Sequence, residues 1–280
     1  MISRWSILPA AIALVSGSLI MAAGSANAAS SPTATTAHSH TTTVRPGGGL
    51  KGYVPGGLMK KHAGAHRTRH GKFFQEQSSN WSGYAATGGT GAFSSVSASW
   101  TQPTANCTDS GNEYAAFWVG LDGFNSNSVE QTGTDSDCSG GSPTYYGWYE
   151  MFPAAPVYYT DPVSPGDSMS ASVSDDGSGN YTLVLTDNSQ GWTETQNISQ
   201  PGNSDSSAEV ITEAPSDQFG PLPLADFGTI NYGGSSANGG SLSSQNPTDI
   251  IMVGASGDQL DDTSGIDGSG NFSNTWLIQS

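Results

Sequence analysis

The chain has 280 residues, and its charged side chains are sorted into two stretches. All 8 Lys and Arg and all 5 His lie before residue 73, whereas all 24 Asp and Glu lie after it, from Glu76 to Asp267. The acidic stretch therefore lacks the imidazole or amine of a Ser-His-Asp, Cys-His or Ser-Lys site, the His ligands of a transition-metal site, and the cations that bind phosphate or nucleic acid.

Residues 1–28 are predicted to be a signal peptide. Arg4 gives a positive start, residues 7–21 form a short apolar run, and Ala26-Asn27-Ala28 is a small-x-small cleavage site. The apolar run is interrupted by Pro9 and is too short for a comfortable membrane span. We expect a secreted, extracellular product with no membrane anchor in its mature form.

Residues 29–76 are rich in Thr, Ser, Pro, Gly and His and show almost no periodic apolar pattern. Such a composition predicts a largely unstructured segment. A basic segment that precedes an acidic domain indicates a propeptide that binds this domain, and a plain linker is the alternative. Residues 77–280 then form one acidic domain, expected to be a monomer.

From about residue 78 onward the sequence pattern is that of β-strands. Val96, Ala98 and Trp100 alternate with serines, which is the period-two pattern of a half-buried strand. Further strands are predicted at 114–120, 144–152, 169–173, 181–187, 208–213, 249–254 and 274–279, separated by turn-rich clusters. No stretch shows a convincing helical stripe. The fold class is therefore predicted to be all-β, an antiparallel sandwich or jelly roll.

Cys107 and Cys138 are the 2 cysteines of the chain. In an oxidising compartment they are predicted to form a disulfide that closes a loop of about 30 residues, with two free thiols as the alternative. Without His or further Cys they cannot make an ordinary zinc site. Calcium at Asp-rich turns such as Asp258 to Asp267 stays open as an alternative, but we expect no metal and no cofactor.

The acidic domain can use only carboxylates, carboxamides, hydroxyls and backbone amides for chemistry. Carboxylates work as acids or bases near their own pKa of about 4, which suits acidic surroundings. Because the domain has no internal cation to balance its carboxylates, it should repel itself at neutral pH. We expect its thermal stability to fall between pH 4 and pH 7.

Five motifs occur in order: Asn80-Trp81-Ser82-Gly83-Tyr84, Phe117-Trp118-Val119-Gly120-Leu121-Asp122-Gly123, Gln131-Thr132-Gly133, Gly147-Trp148-Tyr149-Glu150 and Ala208-Glu209-Val210-Ile211-Thr212-Glu213. Together they resemble the glutamic peptidase (eqolisin) family over about residues 78–280. The resemblance implies a secreted, pepstatin-insensitive acid endopeptidase that is made with a propeptide. It also implies a concanavalin-like fold of two packed curved sheets, with the active site on a concave face.

The resemblance also assigns roles to residues. Gln131 matches the catalytic glutamine and Glu213, the second Glu of the last motif, matches the catalytic glutamate. Residues that match positions lining or supporting the substrate cleft are Trp81, Trp118, Asp122, Asp135, Trp148, Glu150 and Glu209. In the predicted strand Glu209 and Glu213 share a face but are about 13 Å apart, too far for a directly bonded pair. Glu130 and Val210 depart from the family pattern.

In the implied mechanism, ionised Glu213 takes a proton from water and later delivers it to the leaving amine. Gln131 orients the water and donates an N–H to the oxyanion. The alternative is a secreted jelly-roll glycosidase or carbohydrate-binding module, which paired carboxylates and many aromatic side chains would also serve. Gln131 separates the two, because glycoside hydrolysis gives it no necessary role.

Overall fold

The computed structural model describes residues 57–63, 68–70, 72–107 and 111–279. The predicted signal peptide and most of the predicted propeptide lie outside the described residues. The strands are β1 (Thr68–His70), β2 (Phe73–Ser78), β3 (Trp81–Thr87), β4 (Ser95–Thr101), β5 (Ala116–Asp122), β6 (Val129–Ser139), β7 (Ser142–Phe152), β8 (Val157–Pro162), β9 (Ser168–Asp175), β10 (Asn180–Asp187), β11 (Trp192–Ser199), β12 (Ser207–Glu213), β13 (Ser216–Asp217), β14 (Gly220–Pro221), β15 (Thr229–Ala237), β16 (Gly240–Ser241), β17 (Thr248–Met252), β18 (Asp261–Thr263) and β19 (Phe272–Trp276). One 3-10 turn, Leu242–Gln245, interrupts them.

These strands form two large sheets and one small hairpin. The nine-stranded sheet has the order β1-β2-β17-β3-β12-β5-β6-β7-β8. The eight-stranded sheet has the order β11-β10-β9-β4-β15-β19-β18, with β16 paired to β15. Neighbours are antiparallel except β2 and β17, which run parallel. The predicted all-β sandwich of two packed sheets is confirmed.

The main core lies between the two large sheets. On β4, Val96, Ala98 and Trp100 are buried whereas the intervening serines are partly or fully exposed, as the alternating pattern predicts. From the nine-stranded sheet, Phe117 and Leu121 of β5 point into the same core. Burial of this apolar surface is the main force that holds the two sheets together.

A second apolar cluster lies on the opposite face of the nine-stranded sheet. Side chains alternate along a strand, so Trp118 of β5 points away from Phe117 and the intersheet core. Trp118 joins Trp81, Trp148 and Ile211 in this cluster, and all four side chains are 0% exposed. The central strands of this sheet are therefore buried on both faces. We call the face that carries this second cluster the cleft face.

Part of the predicted propeptide is ordered on this sheet. Lys61 forms an isolated antiparallel bridge with Ser78, and β2 pairs with β17 through residues that precede the predicted boundary at residue 77. Residues 57–63 and 73–76 are therefore held on the domain by these contacts, although residues 57–60 form no regular secondary structure. Their pattern was missed because these short pieces acquire structure by pairing with the domain and not by an amphipathic period of their own.

Two further features concern the predicted export of the protein. Cys107 and Cys138 form the predicted disulfide, with Cα atoms 5.4 Å apart. In the part of the chain that the structure describes, no helix is long and apolar enough to cross a membrane.

Candidate active site

The strand register places Gln131 at the centre of the cleft face. Gln131 on β6 pairs with Gly120 of β5 on one side and with Glu150 of β7 on the other. Its Nε2 donates a hydrogen bond to Oε2 of Glu150 at 2.8 Å, and both side chains are 0% exposed. The structure thus brings the predicted catalytic glutamine and one predicted supporting carboxylate into direct contact.

Glu213 lies at the end of β12 and is held by two donors. Trp118 Nε1 donates to its Oε2 at 2.9 Å, and Asn80 Nδ2 donates to its Oε1 at 3.2 Å. Glu213 is 0% exposed. Burial raises the pKa of this carboxyl to about 8, and the hydrogen bonds from Trp118 and Asn80 act in the opposite direction.

Glu150 neighbours both Gln131 and Glu213 on the cleft face. Burial raises the pKa of Glu150 well above its usual range, and the next largest cause is the negative charge of Glu213. Glu150 and Glu213 therefore share one electrostatic environment. Gln131 and Glu213 therefore both neighbour Glu150, one through a hydrogen bond and the other through its charge.

Two of the three cleft-face tryptophans, Trp118 and Trp148, are aligned by the register and donate from their ring nitrogens to carboxylates. Trp118, Gly133 and Trp148 are cross-strand neighbours in that order. While Trp118 donates to Glu213, Trp148 Nε1 donates to Oδ1 of Asp135 at 2.7 Å. A Cβ on Gly133 would lie only 2.6 Å from the Trp118 Cβ, so glycine is required between the two rings.

Asp122 supports the loop that leads into β12. Its carboxylate accepts backbone N–H bonds from Ser204, Asp205 and Ser206 at 2.7–2.9 Å, and also the Ser206 hydroxyl at 3.0 Å. Asp122 itself has a positive φ of 68° at the end of β5. Its role is therefore to fix the start of β12, and through it the position of Glu213.

Glu209 lies on the cleft face, across Gly120 from Gln131. Burial raises the pKa of Glu209 well above its usual range, and the further charges that raise it are those of Asp122 and Glu130. The charged neighbours of Glu209 therefore lie near Asp122, the last residue of β5. Glu213 is the one of the two glutamates whose charge reaches Glu150.

Among the residues that the structure describes, Asp122, Glu130 and Asp205 come together as possible cation ligands, with one oxygen of each within 4.8 Å of the others. Protein donors already serve these groups. Asp122 accepts the four bonds described above, Glu130 Oε1 accepts from Asn203 Nδ2 at 2.7 Å, and Asp205 Oδ1 accepts from Tyr181 at 2.8 Å. The cluster lies apart from the Asp258 to Asp267 turns, where the sequence left a calcium site open.

Sequence reasoning assigned no role to Asn80, and it placed residues 57–60 in a propeptide that binds the domain without saying where; both contact the site. Asn80 Nδ2, besides bonding Glu213, donates to the carbonyl of Leu58 at 3.1 Å. Trp81 Nε1 donates to the carbonyl of Gly57 at 3.1 Å. The one available signal for Asn80 was its place in the first motif, directly before Trp81.

The chain matches the model of the peptidase A4 family over residues 79–276. Among solved structures it is similar to scytalido-glutamic peptidase with a transition state analog inhibitor, with 25% identity and a TM-score of 0.61 over 71% of this chain and 98% of that chain. It is also similar to SCP-B, a member of the eqolisin family in complex with the tripeptide Ala-Ile-His (24% identity, TM-score 0.58, 71% of this chain and 98% of that chain). A third similar structure is aspergilloglutamic peptidase from Aspergillus niger (23%, 0.53, 59% and 99%). No curated protein matches the chain.

The sandwich fold and a cleft face built from buried carboxyl and amide groups, together with these matches, define a glutamic-type peptidase. The family match spans most of the chain, and the chain belongs to the peptidase A4 family, the eqolisins. The predicted membership is confirmed, and the glycosidase and carbohydrate-binding alternatives are set aside.

Proposed function

We propose that this chain is the precursor of a secreted endopeptidase that cuts polypeptides in acid, with Gln131 and Glu213 as its catalytic residues. The observation that carries the proposal is the arrangement around Glu150. Glu150 accepts a hydrogen bond from Gln131 at 2.8 Å, and the negative charge of Glu213 raises its pKa. This arrangement places one amide and one titratable carboxyl on the same face of the sheet. They are the two groups that a water-mediated attack on a peptide bond needs.

The proposed reaction proceeds through a water molecule. Ionised Glu213 removes a proton from the water as its oxygen attacks the peptide carbonyl, and Gln131 donates an N–H to the oxyanion that forms. Glu213 then gives the proton to the leaving nitrogen, the C–N bond breaks, and the carboxylate is restored. Glu150 acts as a positioning residue, because its hydrogen bond fixes the side-chain amide of Gln131.

The ordered part of the precursor supports the proposed role of residues 29–76 as a propeptide. Residues 57–60 lie over the cleft face next to Glu213, and their removal would readmit water to this carboxyl. Since burial is the main cause that raises its pKa to about 8, resolvation would lower the pKa. Uncovering the cleft would therefore turn a protonated carboxyl into a working base at acidic pH.

The proposal is tested by the pH dependence of kcat/KM on a peptide substrate after acid incubation of the full chain. Glu213→Gln is expected to lower kcat/KM at least about 1,000-fold, because the proton acceptor is lost. Gln131→Ala is expected to cost about 100- to 1,000-fold, the usual effect of removing one oxyanion donor. Asp258→Asn, which changes an exposed carboxylate, is the control and should stay within about threefold of wild type.

Two results would overturn the proposal. One is a full chain that stays intact at pH 3–4 and leaves denatured casein uncut. The other is a Glu209→Gln variant that is as inactive as Glu213→Gln while Gln131→Ala keeps wild-type activity. N-terminal sequencing of the shortened product, and its recovery from the culture medium, test the propeptide and secretion separately.

A further inference from the structure

Residues 57–62 bind the domain mainly through their backbone. Gly57 and Leu58 present carbonyls to Trp81 and Asn80, as described above. Met59 N donates to the carbonyl of Gly123 at 3.2 Å, and Lys60 N donates to Asn80 Oδ1 at 2.7 Å. These hydrogen bonds use main-chain atoms of the segment, which is how sheet edges and grooves bind peptides of varied sequence.

The backbone of this segment is separated from Glu213 by a single side chain. Asn80 Nδ2 lies 3.1 Å from the Leu58 carbonyl and 3.2 Å from Glu213 Oε1, so the same amide contacts the segment and the proposed catalytic carboxyl. The Lys60 ammonium is also close enough to lower the pKa of Glu213. The segment therefore runs through the place where a substrate main chain must pass.

Met59 is the residue of this segment whose side chain is fully inserted. It is 9% exposed and belongs to the apolar cluster of the cleft face, with Trp81, Phe124 and Ile250. Leu58 packs against the same cluster but is only partly buried. A thioether chain is unbranched and has three rotatable bonds, so it fills an irregular, narrow apolar pocket that a β-branched side chain cannot enter as deeply.

The groove continues beyond the segment. A cavity of about 620 Å³ lies along Gly57 to Lys60 and is bordered on its other side by Phe152 and by Ser216 to Gln218. This space accommodates further residues of a longer peptide. The pocket that holds Met59 is thus one position in an extended groove and not an isolated hole.

We propose that residues 57–60 occupy the groove as a substrate does, and that the Met59 pocket is the subsite that selects an unbranched apolar side chain in polypeptide substrates. The inference rests on the proposed function in one respect, that the groove beside Glu213 is the substrate groove. Affinity then comes from main-chain hydrogen bonds that any peptide can make. Selectivity comes from the apolar cluster into which Met59 inserts, which includes Trp81, Phe124 and Ile250.

The test measures binding without cleavage. The full chain carrying Met59→Asp, which expels the segment from the apolar pocket, and Glu213→Gln, which stops hydrolysis, is titrated with dye-labelled Gly-Leu-Met-Lys-Lys. Peptides with norleucine, Val or Ala in place of Met are compared by fluorescence anisotropy. Norleucine is expected to bind within about threefold of Met, and Ala about 10- to 100-fold more weakly, from the apolar area it fails to bury. Val should fall between them.

A pocket variant makes the test independent of the Met59→Asp background. Phe124→Ala enlarges the pocket and should shift the preferred residue at cut sites in a denatured protein from Met towards Phe, while Leu277→Ala, a partly exposed residue elsewhere, should leave the preference unchanged. Equal binding of all four peptides, or an unchanged preference in Phe124→Ala, would overturn the subsite. Selective binding in this titration, together with a Met59→Asp chain that retains Glu213 and still cuts nothing in acid, would instead keep the subsite and overturn the proposed peptidase function.

Discussion

The indole Nε1 of Trp118 donates a hydrogen bond to Oε2 of Glu213 over 2.9 Å, inside a site from which water is excluded. Burial raises the pKa of Glu213, and this bond is the largest of the causes that lower it. Trp118 therefore stabilises the ionised form of the carboxyl, which is the form that the proposed general base requires. A bond from an indole to a charged carboxylate contributes about 1.5–3 kcal/mol.

Replacing Trp118 by Phe is expected to lower kcat/KM in acid by about 10- to 100-fold and to move the rising limb of the pH profile to higher pH. The ring volume is largely retained, but the ionised carboxyl loses its donor. The measurement is a pH profile of kcat/KM. Trp100→Phe is the control, because it removes an indole bond of 3.1 Å to Thr134 in the intersheet core. It should lower stability without moving the profile, and a profile moved equally by both variants would contradict the prediction.

Glu150 is expected to act on Gln131 through its hydrogen bond and not through its charge. Burial, followed by the charge of Glu213, raises the pKa of Glu150 well above its usual range, so this carboxyl is protonated at acidic pH. Glu150→Gln has a similar shape, keeps the hydrogen bond and should retain kcat/KM within about fivefold. Glu150→Ala frees the amide of Gln131 and should cost about 10- to 100-fold, mostly in kcat. An inactive Glu150→Gln would show that its carboxyl titration is needed.

The stability of the protein is expected to fall as pH rises from 4 to 9. Burial, and then the charge of Asp122, raises the pKa of Glu130 to about 9 in the folded state, against about 4.3 for an unfolded Glu. A raised carboxyl pKa means that the folded state holds its proton more tightly, so the stabilisation is complete below about pH 4 and is lost as pH rises through the folded pKa. Asp137 and Asp261, with pKa values raised by burial to about 7, act in the same direction.

Thermal melts at several pH values measure this effect. The melting temperature should drop by more than about 5 °C between pH 4 and pH 8. Glu130→Gln, which can still accept the hydrogen bond from Asn203, should make the pH dependence shallower. Asp258→Asn, an exposed carboxylate, should leave the slope as it is. A melting temperature that rises over this interval would contradict the assignment of these buried carboxyls.

The strand that carries Gln131 shows where sequence analysis is weakest. The predicted strand at β4 has alternating apolar residues and was found, whereas β6 reads Val-Glu-Gln-Thr-Gly-Thr-Asp-Ser-Asp-Cys-Ser and was not predicted as a strand. β5 and β7 pair with its two edges, while the eight-stranded sheet packs on one face and cleft groups cover the other. Its polar side chains are satisfied by distant partners, such as Glu150 for Gln131, which no local period can indicate.

Only those residues of the candidate site that lie in the family motifs could be predicted from the sequence. Gln131, Glu213 and Glu150 came from the family resemblance, and the structure adds the hydrogen bond from Gln131 to Glu150 and the effect of the Glu213 charge on Glu150. The sequence predicted a propeptide that binds the domain, but not that residues 57–60 contact the cleft face, because their hydrogen bonds use backbone atoms and their partners Asn80 and Gly123 are distant in sequence. Composition alone indicated disorder for a segment that gains order by docking.

Reduction of the disulfide is expected to weaken the end of β6 that lies farthest from Gln131. Cys107 and Cys138 are 31 residues apart, so the loop they close stabilises the fold by about 3–4 kcal/mol. The double Ser variant should lose this amount in guanidinium unfolding at acidic pH while keeping kcat/KM within about threefold at low temperature. A variant that folds with unchanged stability would contradict the prediction, and a large loss of kcat alone would place the disulfide in the active site.

Asp122 is expected to be among the most important single carboxylates for stability. Its two oxygens accept three backbone N–H groups and one hydroxyl from the loop before β12, at 2.7–3.0 Å. Asp122→Ala leaves these buried donors without an acceptor and should lower the free energy of unfolding by about 3–5 kcal/mol. Asp122→Asn keeps one acceptor oxygen and should lose about half as much. Asp262→Ala, at an exposed site, should stay within about 0.5 kcal/mol of wild type.

The loop held by Asp122 sets the start of the strand that ends at Glu213, so Asp122→Ala should also lower kcat/KM. Full activity in a strongly destabilised variant would show that the loop and the catalytic carboxyl are independent.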